Sequence, residues 1–538
     1  MTRISRVLPL ALLVLAPFAA CGGSGDGSSG SSGSNSGSSG STSGASGGSG
    51  AGTGNSGPSG SGTGNSGDTG STGSGSGASG ATGSATGNPG STGTSGATGT
   101  SGASGATGSA GSTGTSGATG TTGTSGAAGS AGSAGTSGAS SDAGGTGTSG
   151  TSGSGGTETD SGTLQWLGTW TASPYPVPSG NLPPASLSGS VLRQVVHISI
   201  GGSQFRFQFS NLSGNGPVTI SSVHVALCKA TPAVDSTIDT TTDTALAFSG
   251  SASVTIAAGT EVWSDPVSFT VPAMGNVSIT SAIKTVPSNL TGHAGSRTTS
   301  YQQTGSTDVT AASMTSAQAV VSWYYISGME VMAPASDKAI VAIGDSLTDG
   351  RGTDTDKNNR WTDDLEVRLQ ANAPTSNVAM MNQGIGGTDL VGTTGTSAQA
   401  RFSRDVLGQA GVRYVIVFDG VNDIGGGASF ASMMPVYASL ISQAHAKNLL
   451  IYGATITPFG TNSYYTAAHE MVRQQVNTYI KSGAFDGYLD FDAAVTNNGN
   501  PPALQTQYDT WAETDGLHLN PAGYQQLANS VDLTLFTK

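Results

Sequence analysis

Charged and aromatic side chains are scarce in this chain: 9% of its 538 residues are Asp, Glu, Lys or Arg, and 6% are Phe, Trp or Tyr. Cysteine occurs only as Cys21 and Cys228, which excludes a disulfide-stapled scaffold. The shortage is concentrated in one place. From Gly22 to Thr163 the chain has no Val, Leu, Ile, Met, Phe, Tyr, Trp, Lys or Arg, and 51 of those 142 residues are Gly. A segment with nothing apolar to bury cannot offset the entropy of ordering itself, so 22–163 reads as a disordered linker. The remaining 375 residues hold 35 of the 86 glycines and have the length of about two domains. Their net charge is −10, and an acidic body argues against nucleic acid as a partner.

The first 21 residues read as an export signal. Arg3 and Arg6 precede a 12-residue apolar run, Val7 to Phe18, too short for a membrane span and suited to a signal core. Ala19-Ala20-Cys21 then resembles the cleavage site of a bacterial lipoprotein signal. That resemblance implies diacylation of Cys21 and a lipid anchor in the outer membrane or at the cell surface; an ordinary cleaved signal would make the protein secreted or periplasmic. Glycine falls at every third position from Gly90 to Gly138, the collagen period, but the run contains no proline to pre-set the extended dihedrals. A flexible tether is the better reading, spanning roughly 60–70 Å as a random coil. With Cys21 consumed, Cys228 has no intrachain partner. It closes the alternating run Val223-His224-Val225-Ala226-Leu227, as a buried small apolar residue would.

The rest divides at about residue 335. Residues 164–335 look like an all-β sandwich of short strands separated by Gly, Pro and Asn. Val191–Ile200 and Gln204–Phe209, joined by Gly201-Gly202-Ser203, read as a hairpin with Phe205, Phe207 and Phe209 on one face. From residue 336 to 538 apolar runs (Ala339–Ile343, Val378–Met381, Tyr414–Phe418, Leu449–Ile456, Tyr488–Phe491) alternate with helical stretches. That alternation implies an α/β fold with a parallel sheet covered on both faces, and such folds bind ligands at the carboxyl ends of their strands.

Polar motifs fall just after these runs: Gly344-Asp345-Ser346-Leu347, then Asn382 through Gly387, then Gly420-Val421-Asn422-Asp423, and late in the chain Asp515-Gly516-Leu517-His518. They supply the parts of acyl transfer. Ser346 is a hydroxyl at a strand end, His518 a candidate base, and Asp515 can orient its ring. The N–H groups of Ser346 and Gly387 and the side-chain amide of Asn422 are candidate oxyanion donors. Asn520-Pro521 suits a helix start that would anchor His518.

In order and spacing, the four segments resemble the blocks of the SGNH (GDSL-type) hydrolases, whose Ser, Gly, Asn and His match Ser346, Gly387, Asn422 and His518. Residues 164–335 resemble the N-terminal β domain of one branch of secreted SGNH hydrolases, through Arg193-Gln194-Val195-Val196, Ser264-Asp265-Pro266-Val267 and Thr299-Ser300-Tyr301. The resemblance implies a flavodoxin-like, three-layer fold with five parallel strands, a covalent acyl-enzyme and no metal or other cofactor. The substrate would be an ester: a small acyl ester, a lipid or an acylated glycan. Membrane contact would come through the lipid anchor alone, and the chain would be a monomer. The same site would suit a polysaccharide O-deacetylase or an acyltransferase; from another class, a surface glycan-binding protein with an inactive hydrolase fold is the alternative. Among the other candidates, Gly386 is the second choice for the oxyanion glycine. Gly292-His293-Ala294-Gly295 reads as a surface loop, with overhang of the catalytic rim as the second reading. Asp345 and Asp423 read as braces for their loops, and Trp361 as core.

Overall fold

The computed structural model describes residues 163–229, 235–510 and 515–538. The signal segment, Cys21 and the linker up to residue 162 lie outside them.

Between Leu164 and Pro334 the strands are antiparallel. One sheet orders Leu164–Thr171, Ile326–Pro334, Gly202–Ser210 and Glu261–Trp263, with Val267–Val271 also on Gly202–Ser210. A second is built around Ser190–His197, Asn276–Thr285 and Val218–Leu227. Phe205, Phe207 and Phe209 are fully buried and share one core with Leu192 and Val196.

This arrangement corrects the expected hairpin. Ser190–His197 pairs with Asn276–Thr285 on one side and Ser300–Thr304 on the other, whereas Gly202–Ser210 pairs with Ile326–Pro334. The two strands therefore lie in different sheets. Ser190–His197 is buried along all but its last residue, as a central strand must be. The connecting residues turn away to bond Ile198 N–H to Gly275 O and Ser199 N–H to Thr169 O. Gly-Gly between two apolar runs suits a crossing as well as a tight turn, and long-range partners decided between them.

From Lys338 the sheet is parallel. Its order is Val378–Gly384, Lys338–Gly344, Val412–Phe418, Leu450–Ala454 and Gly487–Leu489, so the second strand in sequence lies outside the first. Gly344 pairs in register with Gly384 and Phe418, which aligns three strand ends on one rim. The Lys338–Gly344 strand is buried from Ala339 onward, since helices such as Trp361–Ala371 and Phe430–His445 cover the sheet. The antiparallel part is bonded directly to this half: Gly168 N–H donates to Ala410 O at 3.0 Å and Ser173 Oγ to Gln383 Oε1 at 2.8 Å. Arg401 Nη2 donates to Gly344 O at 2.8 Å, fixing the end of the strand that leads to Ser346.

Several carboxyls here are buried without adequate partners. Glu366 Oε1, Asp364 Oδ2 and Asp419 Oδ2 make no hydrogen bond. Burial and then the charge of Asp363 push Glu366 well up and Asp364 up to about 7. Burial and then Asp345 and Asp423 raise Asp419. A carboxyl raised in the folded state binds its proton more tightly there than in the unfolded chain. Stability is therefore greatest below the unfolded value of about 4 and falls as pH rises toward and through the folded value. The carboxyls held low by partners, Asp349, Asp405 and Asp515, give up their contribution only below that window. The melting temperature is expected to fall between about pH 5 and about pH 8, and Glu366→Gln to flatten that slope. Thermal scans across this range check it; a melting temperature that climbs toward pH 8 counts against it.

Candidate active site

The parallel strand Lys338–Gly344 ends at Asp345, whose side chain accepts from Leu347 N–H at 2.8 Å and caps the single helical turn Ser346–Asp349. That turn presents the Ser346 hydroxyl to the rim. The fragment carrying His518 arrives from the far end of the chain. Asn520 caps helix Pro521–Ser530 by accepting from Gly523 N–H at 2.9 Å, with Pro521 in the first turn. Its amide also donates to Gln507 O and Asp509 O, at 2.9 and 2.8 Å, so the turn before the helix is held at both ends.

The three groups meet. Ser346 Oγ lies 2.8 Å from His518 Nε2, and His518 Nδ1 lies 2.6 Å from Asp515 Oδ2. Asp515 Oδ1 accepts from the N–H groups of Leu517 and His518, at 3.0 and 2.8 Å, which leaves the carboxylate little freedom to turn. Burial would raise the Asp515 carboxyl, but the hydrogen bond and charge of His518, with those backbone donors, outweigh it and hold it at about 2. An ionised Asp515 accepts a hydrogen bond from Nδ1–H, which keeps the ring hydrogen on Nδ1 and leaves Nε2 to accept from the Ser346 hydroxyl.

Donors surround the hydroxyl. Gly387 is left-handed, with φ 76°, a conformation that glycine adopts without strain. Its N–H has no partner among the described residues, whereas the Gly386 N–H is spent on Asp349 Oδ2 at 3.2 Å. Asn422 Nδ2 donates to Thr388 O at 2.8 Å, and its Oδ1 accepts from the Tyr464 hydroxyl at 3.1 Å. These two bonds set which end of the amide faces the cleft and leave one N–H of Nδ2 for a ligand. Asp423 braces the neighbouring loop, accepting from Leu390 and Val391 N–H at 2.7 and 3.0 Å. Trp361 is fully buried against Phe418 and Phe491.

The loop read as surface is part of this site. His293 closes the short strand Thr291–His293 and is buried. Its Nδ1 faces Ser173 O at 2.9 Å and its Nε2 faces Asp349 Oδ1 at 3.0 Å. Ser173 O can only accept, so Nδ1 carries a hydrogen and donates to it. Burial would raise Asp349, but His293 and then Arg297 and Arg360 outweigh it and hold the carboxyl below its usual range. Gly295 packs so closely that a Cβ there would sit 2.0 Å from Asp349 Oδ2. One carboxylate thus ties the antiparallel part of the chain to the serine turn and, through Gly386, to the Gly387 loop. Sequence reasoning passed over Asp349 and Tyr464. Asp349 stands three residues after Ser346 and could have been flagged by that spacing; Tyr464 sits in no motif.

These residues enclose a cleft of about 360 Å³ whose walls include Ser346, His518, Gly387 and Asn422, with Tyr175 and Arg297 from the antiparallel part. Among the described residues, no group of three or more His, Cys, Asp or Glu could hold a metal ion, and no helix is long and apolar enough to cross a membrane.

Residues 342–526 match the model of the GDSL-like Lipase/Acylhydrolase family. Solved structures are similar at low identity. A catalytic mutant of an acetylxylan esterase from Geobacillus stearothermophilus is 20% identical over 36% of this chain and 91% of its own, with a TM-score of 0.29. A member of the lipolytic protein G-D-S-L family from Veillonella parvula is 18% identical over 37% and 99%, at 0.28. A GDSL-like lipase from Bacteroides thetaiotaomicron is 18% identical over 37% and 87%, at 0.27. No curated relative matches the chain. With its parallel sheet, its serine at the end of the first parallel strand and a buried His518–Asp515 pair behind it, the matched segment carries the fold of a GDSL/SGNH-type carboxylic ester hydrolase.

Proposed function

We propose that the protein is an extracytoplasmic serine ester hydrolase with Ser346 as nucleophile. The observation that carries this reading is the unbroken hydrogen-bond chain from Ser346 through His518 to Asp515, opening on a cleft with spare donors. His518 Nε2 takes the Ser346 proton as Oγ attacks the ester carbonyl, and Asp515 stabilises the imidazolium that forms. The N–H groups of Ser346 and Gly387 and the Asn422 amide receive the developing oxyanion. His518 then protonates the leaving alkoxide, an acyl-enzyme remains on Ser346, and water activated by the same ring releases the acid.

In the same proposal residues 164–335 form a β-sandwich domain and 336–538 the catalytic domain. Residues 1–21 direct export, Cys21 carries the lipid, and 22–163 tether a monomeric body to the outer membrane or cell surface. The start, with Arg3 and Arg6 ahead of an apolar run, and the Gly-, Ser- and Thr-rich stretch after it support that arrangement. A fluorophosphonate probe tests the chemistry. It should modify Ser346 alone, located by peptide mass, and abolish hydrolysis of p-nitrophenyl acetate in step with labelling. Hydrolysis that persists in fully labelled protein would overturn the proposal.

A further inference from the structure

One guanidinium reaches the cleft from outside the matched segment. Arg297 follows the His293 strand, and its backbone is left-handed, φ 50°, which residues other than glycine seldom adopt. Such outliers persist only where the surroundings enforce them, and they cluster at ligand clamps. Here the enforcement is visible. Arg297 O accepts from Asp356 N–H at 2.9 Å, and the Thr299 N–H and hydroxyl both donate to the Asp356 carboxylate at 2.7 Å. Arg360 Nη2 donates to Ser296 O at 2.6 Å, and Ser296 Oγ to Thr298 O at 2.8 Å. The loop is pinned on either side of Arg297 while its side chain is not. The Nε is shielded from solvent with no hydrogen-bond partner, and the guanidinium makes no hydrogen bond or ion pair among the described residues. Asp349, the carboxylate it faces, is already taken by His293 and Gly386. Arg351, the other guanidinium on the cleft, has interactions of its own.

A buried donor without an acceptor is costly, and a guanidinium fork matches a carboxylate or phosphate in two-point geometry. The remaining walls are mostly polar-tipped, Tyr175, Asn181 and Tyr464 among them, with Leu517 and Ala294 as the apolar side chains, which does not suit a long acyl chain. Resting on the ester-hydrolase reading, we propose that Arg297 is a specificity-determining residue that binds an anionic group, carboxylate or phosphate, carried by the substrate beside its ester.

The test uses two matched pairs: O-acetylated glucuronate against O-acetylated glucose, and acetylated glycerol 3-phosphate against acetylated glycerol. The full chain is expected to favour the anionic member of at least one pair by about 10- to 100-fold in kcat/KM, mainly through KM, with the preference shrinking as salt is added. The pair that responds tells an acidic sugar from a glycerophosphate. In Arg297→Gln the ratio within that pair should collapse toward one, and Arg297→Lys should restore it only in part. Arg297→Asn, whose side chain tolerates a left-handed backbone, repeats the test should the Gln variant fold poorly. No anionic preference in the natural protein, or a preference that survives in Arg297→Gln and Arg297→Asn, overturns the inference while leaving the hydrolase reading intact. A chain that cleaves none of the four esters overturns both.

Discussion

Ser346→Ala is expected to lower kcat on p-nitrophenyl acetate by about 10⁴- to 10⁶-fold, the scale seen when a serine hydrolase loses its nucleophile. The substitution removes one oxygen, 2.8 Å from His518 Nε2, and nothing else bonds to that oxygen among the described residues. The backbone of the turn is held independently, by Asp345 on Leu347 N–H and by Ser346 O accepting from Gly350 and Arg351 N–H, each at 2.9 Å. The fold should therefore survive, and thermal melts of the two proteins should nearly coincide. If Ser346 and His518 act as one unit, Ser346→Ala/His518→Ala should be scarcely worse than either single variant. Turnover by Ser346→Ala within tenfold of the natural protein, at equal folded fraction, would exclude the serine mechanism.

Asn422→Ala is expected to cost about 10²- to 10³-fold in kcat with little change in KM, which corresponds to roughly 3–4 kcal/mol for an oxyanion donor. The reasoning is differential. A carbonyl oxygen in the ground state carries little charge, whereas the tetrahedral intermediate carries a full one, so the amide matters most after attack. Tyr464→Phe should act in the same direction and less strongly, since it frees the Asn422 amide to turn without removing its donor. Kinetics in which Asn422→Ala raises KM and leaves kcat intact would reassign the amide to ground-state binding.

Much of this is legible in the amino-acid sequence itself. The alternation of apolar runs and helical stretches after residue 336 matches the observed parallel sheet, and each motif falls after a strand or before a helix because those placements are local. Gly344 and Ser346 are neighbours in sequence, so reading the end of the strand also locates the hydroxyl. Likewise, the cap formed by Asn520 on Gly523 N–H lies within a single turn, whereas the brace formed by Asp423 reaches Leu390 and Val391 in another loop. The hairpin at Ser190–His197 and Gly202–Ser210 was misread for the opposite reason. An apolar strand bonds to any complementary edge, and the edges it found belong to residues 276–285 and 300–304.

For Gly22–Thr163, which has no Val, Leu, Ile, Met or aromatic residue, composition by itself supplies the proposal of a tether. The order of the four blocks likewise pointed to acyl transfer with no reference to packing. Tertiary structure decided the rest. It placed His293 against Asp349, 56 positions along the chain, and set Tyr464 against Asn422. It also left the Arg297 Nε without a hydrogen-bond partner among the described residues, on the wall of the cleft. Each of these depends on which surfaces come into register when distant segments pack, and that is a property of their shapes and buried partners rather than of any local pattern.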